Sequence, residues 1–114
     1  MADASPSLAE PPGRVDDPDP GLVGGLSAIA DPTRLRILAA LREGHARCRG
    51  IEGYVGIHVS DLARQLDLTQ PAVSQHLARL RHAGLVRATK KGQYAYYGRD
   101  EDAIERLRSA LEGV

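Results

Sequence analysis

The strongest constraint on this chain is the spacing within residues 59–84. Leu62, Ala63 and Leu66 form one apolar stripe, and Val73, Leu77 and Leu80 form a second at i, i+4, i+7. Only Asp67-Leu68-Thr69 lies between them. Thr69 suits the cap of a following helix, and Pro71 is tolerated in its first turn. The pattern therefore predicts one helix over about Ser60 to Leu66 and another running to about His82, ended by Gly84. Two short amphipathic helices joined so tightly have helix-turn-helix spacing. In such units the second helix enters the major groove of DNA and its N-terminal residues meet base edges. With Val73, Leu77 and Leu80 turned inward, Gln70, Ser74, Gln75 and Ala78 turn outward. A glutamine amide can pair bidentately with adenine, and the Ser74 hydroxyl can donate or accept. Arg79, further along, is expected to reach the phosphate backbone.

After Gly84 the period changes. Leu85 to Thr89 and Tyr94 to Tyr97 are strand-like, separated by Lys90-Lys91-Gly92-Gln93. This predicts a hairpin with a basic tip, in which Gly92 supplies a residue able to take positive φ. Arg87, Lys90 and Lys91 would then form a basic wing beside the second helix. Net charge is zero, which taken alone argues against a polyanion partner, but the charge is segregated. Residues 1–20 carry five acids and one base, and residues 100–114 five acids and two bases. Residues 21–99 hold twelve Lys and Arg against five Asp and Glu, and no acid lies between Leu68 and Arg99. Such segregation suits a nucleic acid as well as it suits a solvated basic face.

Upstream, Asp31-Pro32 is a helix start, with Asp31 as cap and Pro32 in the first helical position. That helix is expected to run to about Glu43 and to stop at Gly44. Leu22, Leu26 and Ile29 predict a short first helix that Gly24 and Gly25 weaken. Ile104, Leu107 and Leu111 predict a last helix over about Glu101 to Leu111. The stripes of these two terminal helices can close either the chain's own core or a contact with a second subunit. A short helix that cannot bury its stripe is marginal, which favours the interface. Residues 45–57 are the least regular stretch, and Tyr54 to Val59 can end it as a short strand. The fold expected is mainly α with a small β-hairpin, over residues 21–114, behind an acidic, proline-rich tail at 1–20. There is no apolar run long enough to span a membrane, no signal-peptide pattern, and a single cysteine, so the expected location is the cytoplasm.

The runs Asp31-Pro-Thr-Arg-Leu-Arg-Ile-Leu38, Val59-Ser-Asp-Leu-Ala63, Leu68-Thr-Gln-Pro-Ala-Val-Ser-Gln-His-Leu77, Leu80-Arg-His-Ala-Gly-Leu-Val86 and Lys91-Gly-Gln-Tyr-Ala-Tyr-Tyr97 resemble the ArsR/SmtB family of bacterial regulators. The resemblance covers roughly residues 22–112. It implies a winged helix-turn-helix and a homodimer joined by the first and last helices, through Leu22, Leu26, Ile29, Ile104, Leu107 and Leu111. It also implies binding to double-stranded operator DNA in two half-sites, under effector control.

Many members of that family sense metals. Where one family site has Cys-Val-Cys-Asp, this chain has His58-Val59-Ser60-Asp61, so soft thiolate binding is lost. The last helix has no histidine, which breaks a second family site. The stretch at 45–57 is longer than the family usually has, and it brings His45 and Cys48 near His58 and Asp61 in sequence. These four borderline donors would suit zinc or nickel. Length and composition are also similar to a nickel-linked actinobacterial member of the family, which implies nickel ahead of other metals. No Ser/His/Asp or Cys/His arrangement, phosphate-binding glycine loop or zinc-protease motif is present, so an enzyme is not expected. Two alternatives remain open at this point. One is a co-regulator that controls a partner protein and binds DNA weakly or not at all. The other is redox control through Cys48, which lies between Arg47 and Arg49.

Overall fold

A computed structural model describes residues 13–114 as five helices and three short strands. Most of the expected tail therefore lies outside the described residues. Helix α1 (Pro20–Ile29) begins where the Asp19 carboxylate accepts from the amide of Leu22, 3.2 Å away. Helix α2 (Pro32–Arg47) begins in the same way, with Asp31 accepting from the amide of Arg34 at 2.9 Å. That hydrogen bond is the main reason the Asp31 carboxyl is held below the ordinary carboxylate range, with the guanidinium of Arg34 adding to it.

Gly44 does not stop α2. The helix runs on to Arg47 and is capped at Cys48. What Gly44 provides is room: a Cβ there would stand 2.7 Å from the Tyr54 hydroxyl and 2.9 Å from Ile57 Cδ1. The missing side chain lets the following loop fold back onto the helix.

Strand β1 (Ile57–His58) leads directly into helix α3 (Val59–Leu66), which Asp67 closes in the left-handed conformation, φ 56°. Helix α4 (Gln70–His82) follows after Leu68 and Thr69, with the Thr69 hydroxyl accepting from the amide of Ala72. Strands β2 (Val86–Lys91) and β3 (Tyr94–Arg99) form the hairpin, and helix α5 (Glu101–Glu112) ends the fold. Both lysines expected in the turn belong to β2. The register Lys91↔Tyr94 leaves only Gly92 and Gln93 to turn the chain, and Gly92 takes φ 64°.

The three strands form one antiparallel sheet in the order β1-β3-β2, with Ile57 opposite Tyr97 and His58 opposite Tyr96. Gly56 makes the approach possible. It has φ 135°, and a Cβ there would meet the Tyr97 carbonyl oxygen at 2.1 Å.

Ile37 and Leu41 of α2, Leu62 of α3, and Val73, Leu77 and Leu80 of α4 are sealed from solvent at the centre of the core. Burying each such side chain contributes about 1.5–3 kcal/mol. Leu85, Val86, Ala28 and Ile104 extend this core toward the sheet and the terminal helices. The result is a mainly helical winged helix-turn-helix. No helix among the described residues is long and apolar enough to cross a membrane.

Candidate nucleic-acid interface

Burial of Val73, Leu77 and Leu80 fixes the rotation of α4 about its axis. Gln70, Ser74, Gln75 and Ala78 are consequently exposed. The first turn of α4 carries no acid, so nothing on the helix offsets the partial positive charge of its N-terminus.

The back of α4 is tied down. Arg79 Nη2 donates to the Ser27 hydroxyl of α1 at 2.8 Å. Arg34 Nη1 lies 3.2 Å from His76 Nδ1, while Arg34 Nε donates to the Ala28 carbonyl. Two arginines thus lash α4 to the end of α1 and the start of α2. Arg79 is exposed, as its position on the helix requires, but its guanidinium is engaged inside the chain. On sequence alone His76 reads as a DNA-facing or surface residue of the second helix, whereas it is half-buried beside Arg34, a partner 42 residues away.

On the wing, Arg87 and Lys90 are exposed and have no ion pair or hydrogen-bonded partner among the described residues. Lys91 differs: its ammonium donates to the Gly53 carbonyl at 2.8 Å, mooring the wing tip to the loop between α2 and β1.

The four expected metal donors do not come together. Among the described residues no three His, Cys, Asp or Glu side chains form a group able to hold a metal ion. His58 is the N-cap of α3; its Nδ1 accepts from the Ser60 amide at 3.1 Å and lies 2.7 Å from the Ser60 hydroxyl. One ring nitrogen is therefore committed, and the ring stands edge-on to Tyr94 and Tyr96 at centroid distances of 5.2 and 5.8 Å. Asp61 pairs with Arg64. His45 lies exposed on the last turns of α2, and Cys48 is the residue that caps that helix. Sequence proximity assembled this set, and the caps, the ion pair and the extra turn of α2 disperse it.

The terminal helices pack on each other across Gly25, where a Cβ would stand 2.9 Å from Leu107 Cδ1. Leu22, Leu26, Ile29 and Leu107 are half-buried, whereas Ile104 faces inward and joins the core. Leu111 is 41% exposed, Val23 50% and Leu35 51%, so this outer layer leaves large apolar side chains in water.

The sequence profile described as "Bacterial regulatory protein, arsR family" matches residues 31–88, the segment from the Asp31 cap into β2. The chain belongs to this family. It is 38% identical over 89 residues to the uncharacterized HTH-type transcriptional regulator YbzH of Bacillus subtilis, covering 75% of this chain and 89% of that protein. It is 36% identical over 87 residues to the arsenic resistance transcriptional regulator ArsR1 of Pseudomonas putida, covering 75% of this chain but only 59% of that longer protein. Among solved structures, NolR from Sinorhizobium fredii superposes with a TM-score of 0.61 at 31% identity, covering 99% of this chain and 95% of that one. These relatives are regulators, and an enzymatic role has no support among them.

Proposed function

We infer that this chain is a cytoplasmic transcriptional regulator that binds double-stranded operator DNA as a homodimer, each subunit reading one half-site. The observation that carries this reading is the exposed row Gln70, Ser74 and Gln75 on an acid-free helix, beside a wing that holds Arg87 and Lys90 free. Gln70 and Gln75 read bases, Ser74 adjusts the fit, and Arg87, Lys90 and Lys91 contact phosphates. Arg79 contributes to DNA only after leaving Ser27. The second subunit packs on Leu22, Leu26, Ile29, Leu107 and Leu111, with Ile104 supporting them from within.

The test is anisotropy of labelled promoter duplexes over a salt series. Affinity should fall steeply with salt, because phosphate contacts release counterions. Gln70→Ala or Gln75→Ala should cost about 1–3 kcal/mol and relax discrimination at one base pair. Lys90→Ala with Lys91→Ala should weaken binding to every sequence and flatten the salt slope. Absence of salt-sensitive binding to any duplex would sink this reading in favour of a co-regulator acting on a partner protein. Nickel or zinc as effector would require His45, Cys48, His58 and Asp61 to be regrouped or completed by a second subunit. Calorimetry with each ion, with and without operator DNA, decides the point, since an effector and DNA must change each other's affinity by the same factor.

A further inference from the structure

A groove of about 630 Å³ opens between the last turns of α2, the loop at 48–56 and the base of the wing. It is separate from the exposed row of α4, and its volume lies within the ordinary range for small-molecule sites. Its apolar lining is the half-buried Val55 and Ala88, backed by Leu41 and Val86, which are sealed from solvent.

The walls are charged, and the charges are unequally committed. Glu101 is spent on Arg99, accepting from Nε at 3.0 Å and from Nη2 at 2.7 Å. Arg99 is itself nine-tenths buried, with its side chain 9% exposed. Asp100 is spent on capping α5, where it accepts from the Ala103 amide at 3.0 Å. By contrast, Arg81 and Arg87 line the groove and have no partner among the described residues. His45 of α2 also lines the groove, on the side of Glu101, and Tyr54 is held against α2 where Gly44 leaves room. Burial, reinforced by nearby Cys48, pushes the Tyr54 phenol up, so at neutral pH it remains a hydrogen-bond donor.

Two free guanidinium groups, a phenol donor and an apolar lining, with both carboxylates already used, complement one class of ligand. We propose that this groove is an effector site for a small organic acid, whose carboxylate meets Arg81 and Arg87 and whose apolar body lies on Val55 and Ala88. Guanidinium groups donate paired hydrogen bonds to carboxylates, and two uncommitted ones beside an apolar lining suit that chemistry. The loop that carries Tyr54 also holds the wing tip through Gly53 and Lys91, and Arg87 lies on β2 itself. An occupant bridging Tyr54 and Arg87 therefore bears on the wing. This regulatory consequence rests on the DNA-binding reading above, whereas occupancy of the groove does not.

The test uses the full chain, labelled with ¹⁵N, titrated with benzoate, with benzyl alcohol as the uncharged match and with inorganic phosphate. Benzoate at millimolar concentration should shift the amides of Tyr54, Val86 and Arg87, and benzyl alcohol should not. Arg81→Gln, which removes the charge at an exposed position, and Tyr54→Phe, which removes only the hydroxyl, should each weaken benzoate about tenfold. No shift with benzoate, or equal binding of inorganic phosphate, would overturn the organic-acid site. The second arm measures promoter affinity with and without benzoate, and benzoate affinity with and without the duplex. Equal reciprocal factors support an effector site. Binding of benzoate that leaves promoter affinity unchanged overturns the regulatory part, and one-for-one displacement of benzoate by duplex reassigns the groove to DNA phosphate. Failure of the ligand-free chain to bind any duplex refutes the DNA-binding reading, while the amide shifts still decide the groove.

Discussion

The helix-turn-helix and the layer made by α1 and α5 solve the same burial problem with opposite degrees of self-sufficiency. In the first, α2, α3 and α4 close a core in which Ile37, Leu62, Val73 and Leu80 are wholly removed from water. In the second, α1 and α5 bury Ala28 and Ile104 but leave Val23 and Leu111 half in solvent. The helix-turn-helix is sealed within one chain, and the outer layer is not. A sealed core under the exposed face of α4 and an unfinished apolar surface at the termini are what the proposed reading of DNA by a pair of subunits requires.

The largest expected effect tests the sealed half. Leu62→Ala should cost about 2–5 kcal/mol in urea unfolding, because it removes buried area and leaves a cavity that three helices surround. Leu111→Ala should change the unfolding of the isolated chain by less than about 0.5 kcal/mol. It should instead weaken self-association in sedimentation equilibrium. A large effect of Leu111→Ala at all protein concentrations would erase the contrast.

A smaller effect, with a reversal of sign between neighbours, tests the outer layer. Gly25→Ala should destabilise by about 1 kcal/mol, since its Cβ would stand 2.9 Å from Leu107 Cδ1 and oblige that half-buried side chain to repack against α1. Gly24→Ala meets nothing within 4 Å and should stabilise the helix by about 0.5–1 kcal/mol. Thermal unfolding of the two variants gives the comparison directly.

The smallest effect is one of pH. The Arg99 guanidinium, beside Glu101, is the chief cause that holds this carboxyl below its ordinary range, with His45 and Arg108 adding to it. A carboxylate whose folded value is depressed contributes stability at neutral pH and loses it as pH falls through that folded value. The contribution is modest because Glu101 is 41% exposed. Glu101→Gln should therefore lower the melting temperature slightly at neutral pH, and the difference from the parent chain should vanish in acid.

What was legible in the sequence follows the range of the forces involved. The second stripe of the helix-turn-helix is a pattern within eight residues, so Val73, Leu77 and Leu80 gave the rotation of α4 and the exposure of Gln70, Ser74 and Gln75. The role of Gly44 depends on Tyr54 and Ile57, which return from beyond the helix end, and the local rule that glycine stops helices therefore misplaced the boundary. The same limit hid the partner of Arg79, since Ser27 is 52 residues away. The metal donors were legible as chemistry but not as geometry. Proximity in sequence does not gather side chains when His58 caps one helix and Cys48 closes another.

The junction at His58 has a consequence for how this chain can change over evolutionary time. Strand β1 is only two residues long and passes into α3 without an intervening residue. The loop at 48–56 can gain or lose residues between Cys48 and Gly53 with less disturbance, since the contacts made by Gly53 and Tyr54 lie beyond them. An insertion between Ile57 and Val59 cannot be absorbed in that way. It would slip the pairing with β3 by one place, exchanging the faces of the strand, and would remove the histidine from the start of α3. Length variation among sequences of this kind should therefore accumulate before the glycine and stop abruptly after it.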